Sequence, residues 1–106
     1  MAADANGTYA VVWPRGEKSM EITPLAHRHA SLEGKTIGFV WDYLFRGDEI
    51  FSILTEGLTE RYPGVKFIDY SEFGSTHGGD EHAVIAALAD KLKSQKVDAV
   101  ISGMGC

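Results

Sequence analysis

Lys35-Thr-Ile-Gly-Phe-Val-Trp41 is the stretch that decides the fold. A half-exposed strand alternates apolar and polar residues. This run is almost unbrokenly apolar, the signature of a strand covered on both faces in a parallel sheet. Asp42 closes it. Gly47-Asp48 then opens a helix, with Asp48 as the expected N-cap and Glu49 in the first turn, where the dipole favours acid. Ile50, Leu54 and Leu58 form an i, i+4 stripe thickened by Phe51 and Ile53. Pro63-Gly64 ends that helix.

The same alternation repeats downstream. Val65–Tyr70 reads as a second strand, and Gly74-Ser75-Thr76-His77-Gly78-Gly79 as a loop. Asp80 is the expected cap of a second helix with Glu81 beside it. Its stripe is Val84, Ile85, Leu88 and Leu92, and Lys91, Lys93 and Lys96 favour its C-terminal end. Val97–Ile101 reads as a third buried strand, followed by Ser102-Gly103-Met104-Gly105-Cys106. The order is βαβαβ. Right-handed crossovers make this a three-layer α/β domain with a Rossmann-like or flavodoxin-like parallel sheet, in strand order 2-1-3. Upstream, Tyr9–Trp13 is a short β-prone run stopped by Pro14. Arg15-Gly16-Glu17-Lys18 reads as a turn. Residues 1–33 read as an N-terminal extended arm packed on the body, and 34–106 as the βαβαβ domain.

Composition bounds the function. At 106 residues, one domain is the expectation. Ten Lys+Arg against 15 Asp+Glu leave a net charge of −5, which argues against nucleic acid, since phosphate binding needs clustered positive charge. Hydrophobic residues at 44% and charged residues at 24% are globular values, not those of a disordered chain. No apolar run approaches a membrane span, and Met1–Gly7 lacks the basic flank and apolar segment of a signal peptide. One cysteine, Cys106, excludes an internal disulfide and a cysteine-based zinc cluster. The expected compartment is a reducing cytoplasm. No membrane partner and no cofactor are read.

Doubly wound domains usually carry five or six strands, and three leave the edge at Val97–Ile101 unprotected. The expectation is that the fold is incomplete, and that a second copy, a separate subunit or a downstream continuation completes the sheet. The alternative is a small domain whose arm covers that edge. Ligands of open parallel sheets bind outside the carboxyl ends of the strands. Asp42, the loop holding His77, and Cys106 follow the three strands in turn. A thiolate, an imidazole and a carboxylate can serve as nucleophile, base and orienter. These three are the candidate catalytic residues, with a small-molecule substrate in the same crevice. Gly74, Ser75, Thr76, Gly78 and Gly79, with Ser102, Gly103 and Gly105, are the candidate ligand-binding residues. The first group can cradle an anion, although Asp80 and Glu81 would repel a phosphate, and neither Walker A nor Gly-x-Gly-x-x-Gly is present. One cysteine and one histidine are too few for a metal assignment. Each candidate has a plainer reading: a terminal free thiol, a capping aspartate, a solvated loop histidine and a flexible linker. The basic run His27-Arg28-His29 reads as a solvated turn, or as a contact for a carboxylate ligand or a partner. Trp13 and Trp41 read as core.

Pro24-Leu-Ala-His-Arg-His-Ala-Ser-Leu-Glu-Gly-Lys-Thr-Ile-Gly-Phe-Val-Trp-Asp42 resembles the opening of the UGSC family of (seleno)proteins. In that family a Leu-x-Gly-Lys-x-Ile/Val strand follows a short proline-containing arm. Val97-Asp-Ala-Val-Ile-Ser-Gly-Met-Gly-Cys106 resembles the strand that precedes the naming motif, Cys or selenocysteine followed by Gly-Ser-Cys. Gly103 and Gly105 match the family's glycines, Cys106 falls at the variable position before the motif, and the motif itself is absent. The resemblance spans roughly residues 22–106. It implies thiol or selenol chemistry, in a thiol/selenol oxidoreductase or a subunit of a thiol-dependent enzyme. It further implies that the next codon is a UGA for selenocysteine read as a stop, so that Cys106 neighbours a selenenylsulfide pair. The alternative is a stop that ends one half of a two-subunit enzyme. A non-catalytic subunit that docks through its open sheet edge is the reading from another class. A second resemblance is to aspartate/glutamate racemase-like enzymes, which place a proton-abstracting cysteine after an early parallel strand. It makes Cys106 one half-site of such an enzyme.

Overall fold

The computed structural model describes residues 7–12, 14–15 and 21–105. The readings for Trp13, for most of the Arg15–Lys18 turn and for Cys106 fall outside them. Strand β1 is Thr36–Trp41, helix α1 Gly47–Arg61, strand β2 Lys66–Ile68, helix α2 Glu81–Ser94 and strand β3 Ala99–Gly103. The sheet is parallel with order β2-β1-β3, the order expected from the sequence. Its register runs from Thr36↔Lys66 to Gly38↔Ile68 on one side and from Ile37↔Ala99 to Trp41↔Gly103 on the other.

Both faces of β1 are covered, which explains its continuous apolar run. On one face Phe39 and Trp41 pack with Phe51 of α1, joined by Leu54, Phe67, Tyr70 and Ile101. The Phe39 ring stacks on Phe51 at 4.5 Å and on Phe67 at 5.3 Å. On the other face Phe73 is fully buried against Gly38, where an added Cβ would stand 3.3 Å from both the Phe73 ring and Val97. Burial of a side chain of that size contributes about 2–3 kcal/mol.

Four local expectations differ from the structure. Helix α1 starts at Gly47, behind Arg46 in the cap position and without a side-chain cap, so Asp48 is a first-turn acid and not the N-cap. The reason is tertiary. The Trp41 indole lies against the Gly47 backbone where a Cβ would otherwise project, and donates from Nε1 to the Leu44 carbonyl at 2.8 Å. Strand β2 stops at Ile68, because the Asp69 carboxylate accepts from the Ser71 amide and hydroxyl and turns the chain into a 3-10 turn at Tyr70–Glu72. Asp80 does occupy the cap position of α2 but makes no capping bond, while the Glu81 carboxylate accepts from Gly78 N at 3.4 Å. Ile53 and Ile85 leave their helices' apolar stripes and stand exposed.

The far side of the sheet is less covered. No residue of α2 is fully buried, and β3 alternates half-buried and exposed positions, with Val100 43% exposed. Residues 21–30 are exposed along their length, and Tyr9, Val11 and Val12 lie outside the sheet. His29 ties this segment to the body by donating from Nε2 to the Asp98 carbonyl at 2.9 Å. Among the described residues no helix is long and apolar enough to cross a membrane.

Candidate functional site

The three strands end on one side, and Asp42 joins the loops that leave them. It is the first residue after β1, and its own amide donates to the Gly103 carbonyl at 3.3 Å. Its Oδ1 accepts from Leu44 N at 3.0 Å, closing a tight turn, and from Met104 N at 3.2 Å, which lies beyond β3. The Ser75 hydroxyl lies 3.2 Å from the Asp42 carbonyl, and Thr76 N donates to the Trp41 carbonyl at 3.2 Å. One residue thus fastens the loops after β1, β2 and β3 to each other. The bond to Met104 follows from register: Trp41 sits opposite Gly103, so the residues after each meet.

The loop after β2 is braced internally. Ser75 Oγ donates to the His77 carbonyl at 2.6 Å and accepts from His77 N at 3.2 Å. Gly74 has φ +83°, a conformation costly for residues with a Cβ, and an added Cβ there would also press on Val84 at 3.3 Å. The exposed imidazole of His77 has its nearest ionic partner in Glu81, with Nδ1 3.9 Å from Oε2. Asp42, by contrast, is held by backbone amides. Gly78, Gly79, Ser102 and Gly105 are exposed, and Gly103 and Thr76 are half-buried. The Gly78 amide donates to the Glu81 carboxylate at 3.4 Å.

An aromatic wall stands beside Asp42 that the sequence reading left out. Trp41 meets Tyr43 edge-on at 4.8 Å and Tyr70 at 4.8 Å, and Tyr43 meets Tyr70 at 5.6 Å. Tyr43 and Phe45 adopt φ +59° and +57°, flanking the Leu44 whose amide and carbonyl are both engaged. The Tyr70 phenol is pushed above its usual pKa by desolvation, then by the nearby charges of Asp69 and Asp48, with Tyr43 contributing. Position was the available signal, since Tyr43 directly follows Asp42 and Tyr70 lies two residues past the end of β2.

Chemically, the arrangement is a carboxylate with one oxygen committed to two amides, an aromatic side wall, a hydroxyl and imidazole on a braced loop, and a Gly-Met-Gly segment leading to Cys106. No curated protein and no solved structure matches the chain. The model of the UGSC family matches residues 10–106, a span that takes in all three strand-end loops. With nearly its whole length covered, this chain belongs to the UGSC family.

Proposed function

We propose that the rim around Asp42 carries thiol- or selenol-dependent chemistry, with redox exchange as the reaction class. The observation that supports this most is the double hydrogen bond at Asp42 Oδ1, which ties the segment before Cys106 to the β1 turn. Cys106 lies two residues past Met104, so its Cα is within about 7.6 Å of the Met104 Cα by chain reach alone. In this reading Cys106 is the nucleophile. Asp42 is a positioning residue. His77, on the loop fastened by Ser75 and Thr76, relays protons. Tyr43 and Tyr70 wall the substrate crevice.

The test is the pH dependence of Cys106 alkylation by iodoacetamide, in the folded chain and in urea. A working thiolate site gives a folded midpoint near pH 7, against about 8.5 for an ordinary thiol. A folded midpoint at or above that of the unfolded chain refutes the reading.

A second reading has its own support. The exposure of Val100 on β3 and of Ile85 on α2 fits a face that docks a further protein surface or a second copy. In that reading Cys106 is passive and alkylates at the ordinary midpoint. Sedimentation equilibrium then finds a dimer at micromolar concentration, or a monomer that gains mass with its partner.

A further inference from the structure

The opposite end of β3 carries a second concavity. A groove of about 550 Å³ lies between the segment holding residues 26–32 and the start of β3. Its volume falls within the range of small-molecule pockets. Leu92, Val97 and Val100 supply apolar surface, and His27, Arg28 and His29 also line it. It is separate from the Asp42 rim. The two lie at opposite ends of β3, roughly 13 Å apart at the strand's rise per residue.

The polar side of this groove is one-sided. In a chain of net charge −5, the lining brings together one arginine and two histidines, Arg28, His27 and His29. The rings of His27 and His29 stand edge to face at 6.5 Å. His29 is fixed by its bond to the Asp98 carbonyl. Asp98 is the one carboxylate in the lining, and its Oδ2 is engaged by the Thr36 amide at 2.8 Å. The ion pairs among the described residues, Arg46–Glu49 and His77–Glu81, leave Arg28 without a carboxylate. A guanidinium offers a planar fork of donors matched to a carboxylate, and the apolar wall rewards a ligand with a hydrocarbon body.

We propose that this groove is a binding site for small amphipathic carboxylates, with the acid on Arg28 and His27 and the apolar body along Leu92, Val97 and Val100. The inference is independent of the chemistry assigned to the Asp42 rim.

The test is a titration of the 15N-labelled chain with octanoate and, separately, with octylammonium, followed by amide chemical shifts. Saturable shifts at residues 26–32 and 97–100 with octanoate, and much weaker ones with octylammonium, are expected. Arg28→Gln should weaken octanoate binding roughly tenfold, the loss of one charged hydrogen-bonding partner. Arg28 is exposed, so the α1 amides of that variant should stay unshifted, which separates lost binding from lost folding. His27→Gln, a second exposed variant, should weaken octanoate in the same direction. An equal response to both amphipaths overturns the proposal, as do octanoate binding unchanged in both variants, shifts centred elsewhere, and no saturable binding.

Discussion

Replacing Asp42 tests whether it fastens the strand-end loops. Asp42→Ala removes the acceptor for Leu44 N and Met104 N. A hydrogen bond to a charged acceptor contributes about 1.5–3 kcal/mol when shielded. Asp42 is half-buried and water can reach the freed amides, so about 1 kcal/mol each is the appropriate scale. The alanine variant should therefore lose about 2 kcal/mol, lowering the urea midpoint by about 1–2 M. Asp42→Asn keeps an oxygen in place and loses only the charge assistance, so its loss should be about half as large. Hydrogen exchange gives a residue-level readout: Leu44 and Met104 amides should exchange faster in Asp42→Ala, while Ile37 and Phe39 change only with global stability. Unchanged protection at Met104, or identical losses in the two variants, would refute the reasoning.

The remaining predictions concern packing and titration. Gly47→Ala should destabilise by about 1–3 kcal/mol, because the new methyl meets the Trp41 indole, whereas Gly57→Ala on the same helix meets nothing and should stabilise by about 0.5–1 kcal/mol; urea unfolding of both variants checks the contrast. Phe73→Ala should cost about 3–5 kcal/mol, since the ring is fully buried and lies against Gly38; calorimetry reads the loss. Ultraviolet titration should place the Tyr70 phenol above pH 10, and Asp69→Asn should bring it down toward the ordinary value. A folded-state pKa raised above the unfolded one means that the native state holds its proton more tightly. That contribution is full below pH 10 and is lost as pH rises through the raised value, so stability should fall on the alkaline side.

The parallel sheet was legible because Lys35–Trp41 has no polar alternation and because each helix follows a strand closely enough to force crossovers. What escaped was decided by contacts between distant residues or by side chains competing with the ladder. The pair Gly47-Asp48 marks where α1 opens, but that the helix already includes Gly47 goes with the Trp41 indole, which excludes a side chain there. The end of β2 is set by Asp69 bonding to Ser71, a local alternative to pairing that an apolar count does not register. Asp42 was readable as a polar residue at a strand end. Its bond to Met104, 62 residues on, was not, because it depends on the β1–β3 register. His77 was readable as an imidazole on the loop after β2, while its place next to the Glu81 carboxylate follows from the i, i+4 spacing at the start of α2. His27-Arg28-His29 was visible as a basic run, while the groove it lines exists only once β3 and α2 are placed beside it.

The central claim is that the segment ending in Cys106 converges with the other two strand-end loops at Asp42. The chain's single cysteine permits a direct measurement: a nitroxide attached to Cys106, with paramagnetic broadening read at each backbone amide. Broadening should be strong at Leu44, Ser75, Thr76 and Met104, and absent at Gly34, Gly64 and Val65 at the opposite end of the sheet. Broadening that spares Leu44 and Thr76, or that reaches the Gly34–Gly64 end equally, would contradict the account.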